Sequence, residues 1–360
     1  MVHFATRTLA FAAIVGLAGC GGSGGRLGAP TIPTAPSPTQ SATATFVVKI
    51  PARGLSPTSR HHASPRFLTP AVQGISFSVV QQPATLKGGS VFYALTPQSS
   101  YCTGGGATAL VCKLAVQAPP GDDVFTVDTY DAPNLGGGFV TSTATLTQQI
   151  KAQSANTIKI TTEGVVSYLG VSVANPFPAA GSAQTIGLRV LAADSDGYQI
   201  VGKFDAPLAL TDSDATGATK LSNAAPASST DLSTLKLSWN GTTLSSPATI
   251  TATASSAADA NNGGPFTATA TFAPGSAGAY ATPSSLTFAH VTSAAQTISV
   301  KGVNVAGPFT ATSSGCVNVT GTGPGFTITP ASASTAFSPC TVTVAGSTGA
   351  SSAVPVLVSP

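Results

Sequence analysis

The sequence predicts an all-β chain of tandem sandwiches, and three observations carry that expectation. Charged residues are only 8% of the 360 positions, against about 25% in an ordinary soluble domain. Glu163 is the only glutamate, so the residues that dress exposed helix faces in water are scarce. Apolar residues recur at every second position between turn signals, which is the mark of strands with one buried face.

The alternation can be followed along the chain. Phe46, Val48 and Ile50 alternate with Thr45, Val47 and Lys49, and Ile75, Phe77 and Val79 with serines. Leu110, Cys112, Leu114 and Val116 share one face; Ile186, Leu188 and Val190 repeat the pattern. Leu235, Leu237 and Trp239 form another such face, and Phe266, Ala268, Ala270 and Phe272 oppose Thr267, Thr269 and Thr271. Gly104-Gly105-Gly106, Pro119-Pro120-Gly121, Ser195-Asp196-Gly197 and Asn262-Gly263-Gly264 separate the runs. About seven short strands per hundred or so residues is the size of an immunoglobulin-like or fibronectin-like sandwich. The expected organisation places the first sandwich at 43–162, with a basic loop at 51–70. The second follows at 163–273 with almost no linker, and the third at 280–360 after Pro274-Gly275-Ser276-Ala277-Gly278.

The amino terminus carries an address. Arg7 precedes an apolar run from Leu9 to Leu17, too short for a bilayer span of about 20 residues but suited to a signal peptide. It ends in Leu17-Ala18-Gly19-Cys20, which resembles the lipobox of bacterial lipoproteins. The resemblance implies a signal peptide at 1–19 and a diacylglycerol on the Cys20 thiol. Membrane attachment would follow, since each buried methylene contributes about 0.8 kcal/mol. Residues 20–42 read as a tether, Gly/Ser-rich and then Pro-rich, with no apolar surface to bury. Gly21-Gly22-Ser23-Gly24-Gly25 matches the pattern of a hydrolase nucleophile elbow but lacks the strand before and helix after that the chemistry requires.

The body resembles the uncharacterised Ig-like modules of bacterial surface lipoproteins. The resemblance is carried by Ala118-Pro119-Pro120-Gly121-Asp122-Asp123, Tyr130-Asp131-Ala132, Ala155-Asn156-Thr157-Ile158, Gly164-Val165-Val166 and Asp194-Ser195-Asp196-Gly197. From Pro283-Ser284-Ser285-Leu286-Thr287-Phe288 the third unit is similar to bacterial Ig-like domains appended to exported proteins. It implies a fold and an exported location, inner or outer membrane unspecified, and no reaction.

Without Cys20, four cysteines remain. An exported chain meets an oxidising compartment where paired cysteines form disulfides. Of the three possible connectivities, pairing within sandwiches joins Cys102 to Cys112 and Cys316 to Cys340. Metal binding would need clustered histidines, and only His290 of the four histidines falls within a sandwich. No H-E-x-x-H and no phosphate-binding glycine loop occurs, so no catalytic residue is nominated. The single tryptophan, Trp239, reads as core rather than as a sugar platform.

Two features qualify as candidate sites. Asp194, Asp196, Asp212 and Asp214 could supply calcium ligands, the only cofactor considered, although Asp-Gly and neighbouring aspartates are also ordinary turn chemistry; Asp122-Asp123 is read the same way. Arg53, Arg60 and Arg66, with Lys49, His61 and His62, make the stretch 51–70 basic. From Cys20 to residue 70 the charge is +5, whereas nine basic and twelve acidic residues beyond it leave −3. That stretch could touch anionic headgroups at about 1 kcal/mol per basic residue. Nucleic-acid binding lacks a structured basic face.

The reading favoured is a lipid-anchored, non-enzymatic structural, adhesive or assembly module with an unidentified envelope or surface partner. The alternatives are a glycan- or partner-binding protein and a hydrolase with an unrecognised site. Residues 51–70 contain four prolines and few apolar residues and cannot offset the entropy of ordering. Limited trypsin digestion is therefore expected to cut at Arg53, Arg60 or Arg66 before the sandwiches, leaving a folded, nicked protein. Resistance to trypsin would show that the segment is packed.

Overall fold

Period-two patterning becomes alternate burial along β1 (Ala42–Ile50), where Ala44, Phe46, Val48 and Ile50 are buried and Thr43, Val47 and Lys49 are exposed. The computed structural model describes residues 42–51, 68–81, 87–106, 108–134, 138–331 and 340–359. The expected signal peptide, Cys20, nearly all of the tether, and Arg53, Arg60 and Arg66 lie outside the described residues.

The first sandwich continues with β2 (Gly74–Gln81), β3 (Lys87–Ala94), β4 (Cys102–Gly104), β5 (Leu110–Ala118), β6 (Gly121–Tyr130), β7 (Val140–Ile150), β8 (Asn156–Ile158) and β9 (Glu163–Gly164). Its sheets run β4-β5-β1-β8 and β3-β2-β6-β7-β9. Antiparallel pairing sets Phe46 opposite Leu114, and β8 joins β1 in parallel. Phe46 packs against Phe77 at 4.5 Å and Phe125 at 5.3 Å between ring centroids, bridging the two sheets. Each such ring contributes about 1.5–3 kcal/mol by leaving water. Cys102 and Cys112, register partners on β4 and β5, are disulfide-bonded.

The second sandwich comprises β10 (Tyr168–Val173), β11 (Gln184–Ala193), β12 (Ala209–Asp212), β13 (Thr219–Leu221), α1 (Ser229–Ser233), β14 (Lys236–Trp239), β15 (Ala248–Ala254), α2 (Ala257–Asn261) and β16 (Phe266–Phe272). Its sheets are β10-β11-β14-β13 and β12-β15-β16. The two short helices start at serine caps, Ser228 and Ser256, whose hydroxyls satisfy backbone N–H groups left open at a helix start. Trp239 is only 2% exposed, lies edge-on to Phe272 at 5.9 Å, and donates its indole N–H to the Thr242 carbonyl at 2.8 Å.

The third sandwich holds β17 (Gly278–Thr282), β18 (Leu286–Phe288), β19 (Gln296–Val303), β20 (Thr310–Ser313), β21 (Val317–Thr320), β22 (Gly325–Pro330), β23 (Cys340–Ala345) and β24 (Ser352–Val358). The orders are β17-β19-β22-β21 and β18-β24-β23-β20, with β18 and β24 parallel. Cys316 and Cys340 form its disulfide.

The joints depart from the sequence expectation. Glu163, expected to begin the second sandwich, pairs as part of β9 with Thr143 of the first. Gly278 and Ala279, expected to precede the third sandwich, pair with Val303 and Gly302. Ala42, counted with the tether, pairs with Ala118. Asp122-Asp123, expected in a turn, lies on β6, with Asp123 buried. In each case backbone pairing extends past the point where the turn residues suggested a break.

Contacts across the joints are specific. Asn262 donates to the Val140 carbonyl at 2.8 Å and to Ser167 Oγ at 3.0 Å, and its Oδ1 accepts from Val140 N at 3.0 Å. Between the second and third sandwiches, Leu191, Ala193 and Leu357 form a separate apolar cluster with Tyr168. Gly170 is required here: a Cβ would sit 2.7 Å from the Pro355 Cβ.

Trp239→Ala is expected to destabilise the second sandwich by about 3–5 kcal/mol, the range for truncating a buried aromatic. Denaturant unfolding followed by circular dichroism would measure it. A loss below about 1 kcal/mol would place the indole outside the core.

Candidate functional site

The described surface of the first sandwich holds a cleft of about 310 Å³ and a second hollow of about 270 Å³ beside Tyr101 and Lys113. Ile50, Val72, Leu95, Pro97 and Leu110 line the cleft with Gln73 and Thr96. Among the described residues that line it there is no acid, no base and no cysteine; Thr96 and Thr108 supply its hydroxyls.

His290 follows β18 in a turn of its own. Its backbone N–H donates to Ser293 Oγ at 3.0 Å, and its Nδ1 lies 3.1 Å from Thr292 Oγ1. These contacts are local, within three residues of the histidine, and are those of a turn.

The aspartates nominated for calcium occupy two turns, each bonded internally. Asp194 Oδ1 accepts from the backbone N–H groups of Asp196 at 3.2 Å and Tyr198 at 2.8 Å. The turn closes at Gly197, whose φ of +80° is readily available to glycine. In the other turn, Asp214 Oδ1 accepts from Thr216 N at 3.0 Å and Thr216 Oγ1 at 2.6 Å. Its Oδ2 accepts from Thr219 N at 2.8 Å, while Thr219 Oγ1 donates at 2.5 Å to Asp212 Oδ2. The Thr216 hydroxyl first, then the amides of Thr216 and Thr219, hold Asp214 down to about 2. Among the described residues no group of three His, Cys, Asp or Glu side chains is placed to hold a metal ion. The four aspartates sit in turns held by these hydrogen bonds, and the turn at 194–198 meets a further partner, Asp131, through Ser195.

That partner comes from the first sandwich. Ser195 Oγ donates to Asp131 Oδ2 at 3.3 Å, and Asp131 Oδ1 accepts from Phe139 N at 2.7 Å. On the far side of the same turn Ser359 Oγ of the third sandwich donates to the Gly197 carbonyl at 2.8 Å. The turn 194–198 therefore touches all three sandwiches. Asp194 is fully buried, and its Oδ2 has no hydrogen-bond partner. Burial first, then the charge of Asp196 and more weakly that of Asp131, hold its carboxyl well above the usual range despite the two amide bonds.

A second acidic pair, not singled out in the sequence, sits at the joint between the first and second sandwiches. Asp259, in α2, is only 2% exposed; its Oδ2 accepts from Ser256 N at 2.8 Å and its Oδ1 from Val166 N at 3.1 Å. Asp205 lies near it, its carboxyl pushed up to about 6 by burial, with the charge of Asp259 adding to the rise. Ser256-Ala257-Ala258-Asp259 is a capping-box spacing, and that signal could have located Asp259. Nothing local in the sequence marks Asp205, because its environment is assembled from residues far along the chain.

No protein family and no curated protein matches the chain. Among solved structures it is similar to the D0-D1 domain of intimin, at 14% identity over 54% of this chain and 99% of that one, with a TM-score of 0.25. It is also similar to the human desmocollin-1 ectodomain, at 9% identity, 90% and 61% coverage and a TM-score of 0.20. A third match is to domains 4–9 of the surface layer protein SbsC, at 14% identity, 79% and 39% coverage and a TM-score of 0.20. These likenesses are remote, and the sandwich fold described above rests on the chain's own strand pairing.

Asp194→Asn keeps an oxygen for the two backbone donors and removes the charge. Because the folded carboxyl lies above its unfolded value, the wild-type's stability from this group is full below about pH 4 and declines as pH rises. Thermal melts of the variant should therefore lose less stability than wild-type on going from about pH 4 to about pH 8. Parallel profiles would mean that Asp194 stays ionised in the fold.

Proposed function

We propose that this chain is a lipid-anchored protein of the bacterial envelope whose sandwiches act as a non-enzymatic structural or adhesive module. One observation carries the reading: successive sandwiches are fastened to each other by specific polar and apolar contacts. Asn262 clamps β7 to the second sandwich, and the Tyr168, Leu191, Ala193 and Leu357 cluster fastens the second to the third. Such an arrangement transmits position and force along the chain, and catalysis would need a converging site that these residues do not make.

The address supports the same reading. Leu17-Ala18-Gly19-Cys20 supplies the lipidation signal, and the two disulfides fit an oxidising compartment outside the cytosol. With Trp239 in the core, the one tryptophan is not available as a sugar-stacking platform. The partner is another envelope or surface component met by the outer faces of the sheets.

Cys20→Ser decides the anchor. In cells fed a palmitate analogue, wild-type protein is expected to take up label and sediment with membranes, and the variant to do neither. Restoring the wild-type gene to a deletion strain should recover surface attachment, and restoring the variant should not. Equal labelling of the two proteins would overturn the anchor; attachment unchanged by deletion would overturn the adhesive role.

A further inference from the structure

The segment that carries the chain from the first sandwich into the second is held on two sides. Gly164 N donates to the Lys203 carbonyl at 2.9 Å, and Asp205 N donates to the Gly164 carbonyl at 3.1 Å. From α2, the Asp259 carboxylate accepts Val166 N. Ser256 holds Asp259. Its hydroxyl accepts Asp259 N at 2.9 Å, while its own N–H donates to Asp259 Oδ2. Both Asp259 oxygens thus already accept a backbone N–H. Asp205 Oδ1, by contrast, is buried with no hydrogen-bond partner.

The charges facing Asp205 are few. Asp259 is the charged group that acts on it. Lys203 and Glu163, neighbours on the two paired segments, face each other at 4.0 Å, with side chains 70% and 38% exposed. Lys203 is thereby engaged at the surface and offers Asp205 no buried counter-charge.

We propose that Asp205 and Asp259 form a proton-operated latch on the joint between the first and second sandwiches, closed when Asp205 is neutral and loosened when both acids are ionised. A buried oxygen without a donor costs most when it carries charge, and two neighbouring ionised carboxylates repel each other. Asp259, with two backbone donors, is the acid better suited to keep its charge, so Asp205 is the one that takes the proton. Its carboxyl is pushed up to about 6, by burial first and by Asp259 after it. The folded value therefore lies above the unfolded one, near about 3.9. The stabilisation is complete below about pH 4, falls as pH rises, and is gone above about pH 6. The joint is tight in acid and looser towards neutrality.

Hydrogen exchange of the full chain, corrected for intrinsic rates, reads this directly at the amides of residues 163–167. Between about pH 5 and about pH 8, wild-type protection there should fall by on the order of tenfold. Asp205→Asn, neutral throughout, should hold constant protection across the range. Asp259→Asn gives the second measure. It should lower protection at every pH by removing an acceptor, and it should move the remaining transition to lower pH, because Asp205 then loses its acidic neighbour. Wild-type pH dependence retained in Asp205→Asn would overturn the latch. So would a transition unmoved in Asp259→Asn, or wild-type protection that does not vary with pH.

Discussion

β10 and β24 are the strands on which the arrangement of the second and third sandwiches depends, because each buries both of its faces. Leu169, Val171 and Val173 fill the second core, while Tyr168 and Gly170 turn to the other side and meet Leu357 and Pro355. On β24, Val354, Val356 and Val358 face the third core, and Leu357 faces the second sandwich. A strand in this position cannot slip by one residue without exchanging two apolar surfaces at once, which fixes register more strictly than one-sided burial does. The close approach also explains glycine at 170, where any side chain would strike Pro355.

The part of this that sequence makes legible is the part governed by period two. Phe46, Val48 and Ile50, or Ile186, Leu188 and Val190, alternate in the sequence and alternate in burial. Cys102 and Cys112 flank a glycine turn and meet as register partners. The two-faced strands break the alternation, so period two does not mark them. Val354-Pro355-Val356-Leu357-Val358 is a continuous apolar run, the form taken by strands buried on both sides. Interpreted that way, it would have disclosed the joint between the second and third sandwiches.

The acidic groups are legible only in part, and the reason is again the joints. Asp194 and Asp196 stand out as a turn motif, and the turn is there. What the motif could not disclose is that Asp131, 63 residues earlier than Asp194, approaches through Ser195, or that Ser359 closes the other side. Asp205 and Asp259 are likewise 54 residues apart and acquire their environment only when α2 docks behind the connecting segment. Local spacing specifies a cap or a turn; burial of a carboxyl is a property of the assembled interface.

A chain with so few charges has a particular electrostatic consequence. Among the described residues the ion pair between Lys203 and Glu163 lies at the surface, and the buried carboxyls at the joints are met by N–H and O–H dipoles instead of cations. Dipoles suffice to position a carboxyl, as they do for Asp214 at the surface, where the hydroxyl and amides of Thr216 and Thr219 favour the charged form. Under burial the balance reverses. Asp123, Asp131, Asp194, Asp205 and Asp259 are all held above the usual carboxylate range, with burial the leading cause for each. Their shifts share one sign, so their linkage effects add: each makes the folded state bind protons more readily than the unfolded chain. Three of them, Asp131, Asp194 and Asp259, hydrogen-bond residues at the joints, and Asp205 reaches the joint through its backbone N–H. The same scarcity of charged residues that makes the sequence read as all-β therefore concentrates proton sensitivity where one sandwich is fastened to the next.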